Sequence, residues 1–357
     1  MRHNNKTSSF HLTRREFLKK ASAIGLFAVL PFSLPIQAIN STGSIAIPDS
    51  SSTFQGRVIG KKVIIFEKPS LKATEVRTCT PDEILDIASV IVGDEEPAHN
   101  RVWYEIKREG FVHSGSIQPV ATRLNPVNLF IPKTGLLAEI SVPYADAIWH
   151  PEYRITRAYR MYYGSTFWVN KLLYDAQGKA WYHIPDDRWG TSYYVEAEKM
   201  HFLETQDIMP ISTKVPADRK RIEIDLKNQT LIAFEEDVPV YMTKISSGAK
   251  FSNGNFSTPT GTFITNRKRA SRHMVDGEGY MRNSYDLPGV PWVSYLTRSG
   301  IAIHGTYWHN DFGKPRSHGC INVPTDAARW VYRWTLPQVP LVEQSMETEE
   351  GTEVRVF

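Results

Sequence analysis

Apolar and polar residues alternate in short stretches along most of the chain, and a period of two is typical of half-buried β-strands. The clearest stretch is 221–226, which reads RIEIDL, and residues 352–357 alternate in the same way. Pro, Gly and Asp clusters separate such runs, as expected of strands joined by turns. Further strand-like runs lie at 62–66, 84–92, 230–234 and 238–245. The pattern predicts a mainly β protein.

One stretch near the C-terminus shows helical spacing instead. Its apolar residues recur three and four positions apart, which places them on one stripe of a helix. Thr325 stands at the start of the stretch, where a capping side chain is favoured. The stripe consists of Ala327, Ala328, Trp330, Val331 and Trp334. We therefore expect one clear helix, capped by Thr325.

Residues 1–38 have the pattern of a targeting signal, not of a folded domain. Residues 13–19, TRREFLK, resemble the twin-arginine export signal, and an apolar stretch from Ala21 to Ile36 precedes an expected cleavage point at Ala38. That stretch is short for a bilayer span, which needs about 20 apolar residues. An uncleaved membrane tether is the alternative. In both cases we expect export across the bacterial cytoplasmic membrane, in folded form, to the cell wall or periplasm.

The formal net charge of +4 comes from that signal, because residues 1–38 alone carry a net charge of +5. The rest of the chain therefore has a net charge of −1. Proteins that bind nucleic acid need a basic surface to neutralise phosphates. We expect no nucleic-acid partner.

The length of 357 residues predicts about two or three domains. Residues 39–55, rich in Ser, Thr and Asn, are expected to be a flexible linker. Trp103-Tyr104 and Trp181-Tyr182 each open a strand followed by a turn, a second strand and a one-turn helix. This repeated ending resembles a bacterial SH3-like domain. The predicted organisation is one SH3-like barrel at 56–120, a second at 145–205, a linker at 206–218 and a third domain at 219–357.

The aromatic residues of the two predicted barrels admit two interpretations. Exposed aromatic side chains would bind peptides of the cell wall. Most aromatic side chains in proteins are buried, however, so the same residues would then form the barrel cores.

The chain has two cysteines, Cys79 and Cys320, so a single disulfide is possible. A bridge would block any nucleophilic role of Cys320. Cys79 stands in a strand-like stretch, where a buried and inert thiol is expected. Cys320 lies instead among small and polar residues, in the sequence RSHGCIN at 316–322.

The surroundings of Cys320 favour acyl chemistry. A cysteine attacks as the thiolate, and a histidine can take its proton and later return it to a leaving amine. The apolar run 301–303 ends at His304, which predicts a strand that delivers this histidine to a site at its tip. Gly319 allows a close backbone approach, so the backbone N–H groups of His318, Gly319 and Cys320 are expected to face a developing oxyanion.

The spacing of these residues resembles a known signature. His304, then 12 intervening residues, then Ser-His-Gly-Cys-Ile-Asn at 317–322 is similar to the motif of the L,D-transpeptidase catalytic domain. Supporting features are the strands at 221–234, the Thr-Pro-Thr-Gly turn at 258–261 and the stretch YDLPGVPW at 285–292. The resemblance covers 219–357 and implies a catalytic β-sandwich with one short helix after the nucleophile.

The resemblance also implies roles for single residues. Cys320 is the expected nucleophile, and His304 the general base and acid, oriented through the backbone carbonyl of the next residue. Some members have Ser there, but this chain has Gly305. The expected oxyanion and supporting positions are His318, Gly319, Ser317, Gly305 and Asn322. The expected substrate-binding positions are Arg316, Tyr285 and Trp308.

The implied reaction is acyl transfer in peptidoglycan, with stem peptides as partners. Cys320 would attack the amide between the L-centre of a diamino acid and the terminal D-Ala of a stem tetrapeptide. D-Ala leaves, a thioester forms, and an amine of a second stem or water takes the acyl group. Neither route needs a metal or another cofactor.

Three alternatives remain. The first is a metal site built from His304, His309, His318 and Cys320, although structural zinc sites usually show tighter ligand pairs. The second is a wall-binding protein whose catalytic fold has lost activity. The third is a cysteine endopeptidase of the wall; in such enzymes the cysteine usually precedes the histidine, whereas here His304 comes first.

Overall fold

A computed structural model of the chain describes residues 54–252, 254–276 and 285–357. Strands dominate these residues, which confirms the prediction of a mainly β protein. The predicted signal at 1–38 and nearly all of the predicted linker at 39–55 lie outside the described residues. Within the described ranges, no helix has the length and apolar character needed to cross a membrane.

The first unit is one antiparallel sheet with strand order β3-β2-β6-β5-β4-β1-β7. Cys79 is buried in its core, and both Cys79 and Cys320 are free thiols. The burial expected of the Cys79 thiol is therefore confirmed, and its inertness stays a prediction. The strands are β1 (Gln55–Val58), β2 (Val63–Phe66), β3 (Glu75–Cys79), β4 (Ile84–Val92), β5 (Val102–Ile106), β6 (Gly110–His113) and β7 (Ile117–Val120).

The second unit divides its strands between two sheets. Its strands are β8 (Leu136–Ile140), β9 (Tyr144–His150), β10 (Arg154–Tyr162), β11 (Thr166–Val169), β12 (Lys171–Tyr174), β13 (Ala180–Pro185), β14 (Ser192–Glu196) and β15 (Met200–Phe202). The strand orders are β10-β9-β14-β13-β12 and β11-β8-β15.

The repeated sequence pattern corresponds to a repeated local structure. β5 and β6 are followed by a 3-10 turn at Ser114–Ser116, and β13 and β14 by one at Ala197–Lys199. The Trp-Tyr pairs of β5 and β13 are buried, so these four aromatics form cores and not an exposed binding surface. However, no sheet in the described part of the chain closes on itself, and the two SH3-like barrels are not confirmed.

The connection to the third unit is more ordered than a plain linker. It contains a short helix, α1 (Thr205–Ile208), and a 3-10 turn at Ala217–Arg219. Ile208 and Ile211 pack against the core of the third unit. Part of the segment predicted as a linker at 206–218 is therefore attached to the third unit.

The third unit contains two five-stranded sheets, which enclose an apolar core, and a separate two-stranded sheet of β19 and β20. The strand orders of the two larger sheets are β18-β17-β16-β27-β21 and β25-β24-β23-β22-β26. Ile222, Ala233, Ile303 and Ile321 meet in this core with Val331 of the helix α2. The elements are β16 (Lys220–Asp225), β17 (Thr230–Glu235), β18 (Val238–Lys244), β19 (Lys250–Phe251), β20 (Gly254–Asn255), β21 (Gly261–Ile264), β22 (Arg267–Asp276), β23 (Tyr285–Tyr295), β24 (Ala302–Gly305), β25 (Ile321–Val323), α2 (Thr325–Trp334), β26 (Ser345–Glu347) and β27 (Glu353–Val356).

The helix lies where the apolar stripe predicts it, but its N-terminus differs from the expectation. Pro324 occupies the N-cap position and Thr325 is the first helical residue, without a capping side-chain hydrogen bond. The prediction that Thr325 caps the helix is therefore wrong. The ring of Pro324 fixes its backbone, so the extended segment ends at Pro324 and the helix begins at the next residue, Thr325.

Buried charge joins the second unit to the third. The imidazole of His273 lies between two carboxylates, with Nδ1 at 2.6 Å from Asp186 and Nε2 at 2.5 Å from Asp286. Burial alone would lower the pKa of His273, but the two carboxylates raise it above its usual value. This contact attaches the second unit to the hairpin of β22 and β23.

The C-terminal end of α2 is held by Lys268, which is completely buried. Its Nζ donates to the backbone carbonyls of Tyr332, Thr335 and Pro337 at 2.5, 2.9 and 2.7 Å. Burial lowers the pKa of Lys268 well below its usual value, but its amino group still satisfies carbonyls that have no partner within the helix.

We predict that Lys268→Met lowers the free energy of unfolding by about 3 to 5 kcal/mol, because three buried carbonyls lose their donor. Urea denaturation measures the change. Lys244→Met is the matched control: this half-buried lysine reaches one carbonyl, of Asn228, at 3.1 Å, and a loss of about 1 kcal/mol or less is expected. Equal losses in the two variants would contradict the assignment.

Candidate active site

Two parallel strands bring the candidate catalytic residues to one face of a sheet. β24 carries His304, and β25 begins directly after Cys320. The register places His304 opposite Asn322 and Ile303 opposite Ile321. Side chains alternate along a strand, so the two isoleucines enter the core while His304 and Asn322 point to the other face. Cys320 precedes Asn322 by two residues and packs against Ala302, so its side chain lies on the sheet face that carries His304 and Asn322.

The thiol of Cys320 lies in a largely apolar environment. The residue is half-buried and packs against a cluster that includes Val293, Tyr295 and Ala302. Burial raises the pKa of the thiol to about 11, because a thiolate loses more hydration than a thiol. The thiol is therefore protonated at neutral pH. Its Sγ–H donates to the carbonyl of Gly300 at 3.7 Å.

The imidazole of His304 is held in one tautomer. Its Nδ1 lies 3.0 Å from the carbonyl oxygen of Gly305, and a carbonyl can only accept, so Nδ1 carries the proton. The lone pair then remains on Nε2. His304 is 2% exposed, and this burial lowers the pKa of the imidazole to about 4. The ring is a neutral base at physiological pH.

The candidate nucleophile and the candidate base lie on one face of the sheet, and no hydrogen bond joins them in the described part of the chain. Within the described residues, Sγ of Cys320 donates to the carbonyl of Gly300, and a backbone hydrogen bond from Ala302 partly offsets the rise in the pKa of the thiol. Catalytic hydrogen bonds are often long or absent in ligand-free proteins and form when substrate binds. Proton transfer requires the S–H bond of Cys320 to turn from Gly300 towards Nε2 of His304.

The position after His304 has no room for a side chain. A Cβ on Gly305 would lie 2.8 Å from Cγ of Pro291 and 3.2 Å from Cα of Thr325. Gly305 therefore contributes its carbonyl and not a side chain. This packing explains why position 305 is a glycine in this chain, whereas some members of the L,D-transpeptidase family have Ser after the histidine.

The loop that holds Cys320 is braced internally by Ser317. The Ser317 hydroxyl donates to the carbonyl of Cys320 and accepts from the N–H of Gly319 at 3.2 Å. Gly319 has a φ of +116°, a region that favours glycine. Of the three predicted oxyanion donors, the N–H of Gly319 is thus engaged by Ser317.

A second brace comes from the turn at 258–261. The hydroxyl of Thr258 donates to the carbonyl of Gly319 at 2.8 Å and accepts from the N–H of Gly248 at 2.8 Å. A Cβ on Gly248 would lie 2.0 Å from the carbonyl oxygen of Phe256. Thr258 therefore bridges two chain segments that meet too closely for larger residues.

Asn322 is hydrogen-bonded to His309, which the sequence indicates only as a candidate metal ligand. Its Nδ2 donates to Nε2 of His309 at 3.0 Å. Burial lowers the pKa of His309 to about 3, which keeps this ring neutral and able to accept. The backbone of Asn322 is also paired in both directions with Ser246. Asn322 thus supports the loop after the nucleophile.

His318 turns into an aromatic pocket. Its ring stacks on Phe251 with centroids 4.7 Å apart, and Phe256 and Tyr285 lie at 4.7 and 5.3 Å. Burial, followed by the nearby Cys320, raises the pKa of Tyr285 to about 12. The Tyr285 hydroxyl therefore stays protonated beside the thiol and can donate a hydrogen bond.

Arg316 and Trp308 lie on the segment between the two catalytic candidates. Nη1 of Arg316 pairs with Asp311 at 2.5 Å, and its side chain remains partly exposed. The ring of Trp308 lies 5.8 Å from that of His304 and packs against the same apolar cluster as Cys320. Trp308 therefore covers the site, while Arg316 faces solvent at its edge.

The proposed metal ligands do not form a metal site. Among the described residues, no three or more His, Cys, Asp or Glu side chains are arranged to hold a metal ion. His318 faces aromatic rings, and His309 accepts from Asn322.

Several supporting residues have no signature in the sequence. Thr258 belongs to a turn that the family resemblance includes, but its bridge to Gly319 depends on contacts between distant segments. Phe251 and Phe256 flank His318 only because β19 and β20 fold back over the nucleophile loop. His309 supports the site only by accepting a hydrogen bond from Asn322.

Comparisons with known proteins agree with the resemblance in the sequence. Residues 219–356 match the family model of the YkuD L,D-transpeptidase catalytic domain. YciB of Bacillus subtilis (strain 168), named as a candidate L,D-transpeptidase, is 27% identical over 121 residues, which cover 31% of this chain. The match spans 58% of the length of YciB.

Similar solved structures carry the same name. A crystal structure of an Enterococcus faecium L,D-transpeptidase mutant is 25% identical and covers 39% of this chain and 50% of that chain, with a TM-score of 0.31. An NMR structure of the catalytic domain from the E. faecium enzyme, acylated by ertapenem, is 24% identical and covers 39% and 98%, with a TM-score of 0.30.

We predict that alkylation of Cys320 by iodoacetamide in the free protein accelerates about tenfold per pH unit from about pH 7 to about pH 10, without a plateau near neutrality. The thiol must ionise before it reacts, and its raised pKa lies above this range. Peptide mass spectrometry measures the rate, with buried Cys79 as the internal control that stays unmodified. A rate independent of pH between about 5 and 9 would instead indicate a preformed thiolate–imidazolium pair.

Thr258→Val is expected to lower the free energy of unfolding by about 1 to 3 kcal/mol, because it leaves a buried carbonyl and a buried N–H without their partner. Hydrogen exchange at residues 317–320 should accelerate at the same time. The control is Thr262→Val on an exposed position of β21, where a change within about 0.5 kcal/mol is expected. Unchanged exchange in Thr258→Val would show that the hydroxyl does not hold the loop.

Proposed function

We propose that this chain, whose residues 219–356 form an L,D-transpeptidase catalytic domain, is an exported enzyme that acts on peptidoglycan stem peptides through a thioester on Cys320. It would release the terminal D-Ala of a stem tetrapeptide and transfer the remaining acyl group to an amine. Such transfer would serve peptidoglycan biosynthesis and cell-wall organisation.

One observation supports this proposal: β24, which carries His304, pairs in parallel with β25, which begins directly after Cys320, and burial favours a neutral imidazole and a protonated thiol. General base catalysis needs the two groups in these protonation states before the reaction. The family match over 219–356 supports the same assignment.

The first step transfers the proton of Sγ to Nε2 of His304 while the sulfur attacks the scissile carbonyl carbon. The imidazolium that forms is held by the bond from Nδ1 to Gly305. Burial disfavours both the free thiolate and the free imidazolium, so the proton is expected to move as the new C–S bond forms.

The second step collapses the tetrahedral intermediate. The backbone N–H groups of His318 and Cys320 are the proposed oxyanion donors, because Ser317 already engages that of Gly319. His304 returns its proton to the nitrogen of D-Ala, the C–N bond breaks, and a thioester remains. The protonated hydroxyl of Tyr285 is a further donor near the sulfur.

The third step transfers the acyl group. An amine of a second stem gives a proton to His304 and attacks the thioester, and the sulfur leaves and regains the proton. Water in place of the amine gives carboxypeptidase activity. Arg316 is the proposed contact for a substrate carboxylate and Trp308 the cover of the site.

The N-terminal signal gives the proposed location. Export by the twin-arginine route would place the folded enzyme in the cell wall or periplasm, with a membrane tether if the signal is not cleaved. This location is where peptidoglycan stems are found.

The non-catalytic alternative has less support than the enzyme. The buried Trp-Tyr pairs of β5 and β13 give no wall-binding surface, although Tyr153, Tyr174 and Trp189 of the second unit are exposed. The braces from Ser317 and Thr258 are of the kind that hold a reactive loop in place. The endopeptidase alternative differs in its products, and the test below distinguishes it.

We predict one covalent ertapenem adduct on the wild-type protein, detected by intact mass, and none on Cys320→Ala. His304→Asn should slow acylation by about 10²- to 10⁴-fold, because no base then takes the thiol proton. Cys79→Ala, which keeps the proposed site, should react like the wild type. An absent adduct, or an equal adduct on Cys320→Ala, would defeat the proposal.

Incubation with a disaccharide-tetrapeptide identifies the reaction. Release of D-Ala together with cross-linked dimers is the expected result, and D-Ala without dimers indicates water as the acceptor. Cleavage inside the stem without release of D-Ala would favour the endopeptidase.

A further inference from the structure

The chain between His304 and Ser317 forms an unusual element, here called the 306–316 loop. It connects the two parallel strands of the site and contains no regular helix or strand. Its first half is nevertheless buried: Thr306, Tyr307 and residues 309–312 are buried, and Trp308 is half-buried against the site. Irregular chain rarely lies inside a protein, because its backbone groups need partners there.

The first unit supplies a partner through Arg57 of β1. Arg57 is 2% exposed, and its Nη2 donates to the backbone carbonyl of Tyr307 at 2.8 Å. The same guanidinium pairs with Asp82 at 2.6 Å and donates to Gln118. Its carbon Cζ also lies 3.9 Å from the ring centroid of Tyr162 in the second unit. One buried cation thus contacts all three units.

A second contact fixes the far end of the loop through Asp311. His99 of the first unit lies 2.8 Å from Asp311, which also pairs with Lys314 at 2.7 Å and Arg316 at 2.5 Å. Burial alone would raise the pKa of Asp311, but Lys314 and His99 lower it to about 2. The carboxylate therefore stays charged and holds Arg316 directly before the nucleophile motif.

Close backbone packing lies between these two anchors. The side-chain amide of Asn310 donates to the carbonyl of Ser114 at 3.2 Å, and its backbone N–H to that of Gly115 at 3.3 Å. A Cβ on Gly115 would lie 2.8 Å from the carboxylate of Asp311. The first unit therefore contacts the loop at successive positions, from Tyr307 through Asn310 to Asp311.

We propose that residues 54–120 position the active site: they hold the 306–316 loop so that Trp308 stays against His304 and Cys320. Arg57 and His99 are positioning residues in this assignment. It deepens the proposed function, on which it rests, and it gives the first unit a role other than wall binding.

A loop without its own hydrogen-bonded structure is ordered by the residues that surround it. Loss of Arg57 removes the donor to Tyr307, one residue from Trp308. Loss of His99 removes the link between Asp311 and the first unit. In both cases Trp308 is expected to leave its place, which uncovers Cys320 and misaligns the site.

Three variants and a control test this. Arg57→Met keeps the apolar stem, and Asp82 retains Arg160 as a partner at 3.0 Å. His99→Ala removes the second anchor, and His99→Gln restores a donor towards Asp311. Arg77→Met is the control, because Arg77 pairs with Glu83 and Glu109 inside the first unit.

Each full-length variant is compared by kcat and KM for D-Ala release from the disaccharide-tetrapeptide and by the alkylation rate of Cys320 at fixed pH. In Arg57→Met and His99→Ala we expect kcat to fall by about tenfold or more. Alkylation should rise by about five- to thirtyfold as the loop opens. KM should change far less than kcat, His99→Gln should recover both quantities, and Arg77→Met should match the wild type.

A merely structural role would lower the folded fraction, and partial unfolding would expose buried Cys79 together with Cys320. Faster alkylation of Cys320 while Cys79 stays unmodified therefore excludes that role. The assignment is overturned if Arg57→Met and His99→Ala match Arg77→Met in kcat and in alkylation. If Arg57→Met does not fold, His99→Ala decides alone, because Asp311 keeps Lys314 and Arg316. If the wild type releases no D-Ala, the proposed function fails, while the alkylation rates still decide on positioning.

Discussion

The parallel pairing of β24 with β25 is the constraint on which the site depends. It sets His304 and Cys320 on one face, but parallel neighbours cannot be joined by a tight turn, so the chain must travel between them. Here that connection is the 306–316 loop, and it lies inside the protein. The first unit supplies the buried polar partners that the loop cannot provide for itself. Catalytic geometry and domain arrangement are thus linked by one strand pairing.

Burial of both reactive groups determines the form of the chemistry. The apolar surroundings raise the pKa of Cys320 and lower that of His304, so neither charge is favoured before substrate arrives. A preformed ion pair would be a stronger nucleophile at rest, but it would cost solvation at this depth. In the proposed mechanism the neutral pair reacts only when a carbonyl is present to accept the sulfur, and this protects the thiol from other reactions.

The local part of this structure could be predicted from the sequence. The spacing of His304 and the Ser-His-Gly-Cys motif indicated the chemistry, and alternation and helical periodicity indicated β16 and α2. Contacts between distant segments could not be predicted. Thr258 reaches Gly319, and Arg57 reaches Tyr307, across long stretches of chain and without a local pattern. The two predicted barrels could not be judged from the sequence for the same reason, because closure of a sheet depends on contacts between its distant edge strands.

The most direct test of the central claim is acid-quench trapping of the acyl-enzyme with an isotopically labelled disaccharide-tetrapeptide, followed by peptide mapping. The account predicts that the peptide containing Cys320 carries the stem without its terminal D-Ala, in a linkage that hydroxylamine cleaves. Released D-Ala with Cys320 unmodified at every time point, or the same adduct on Cys320→Ala, would contradict it.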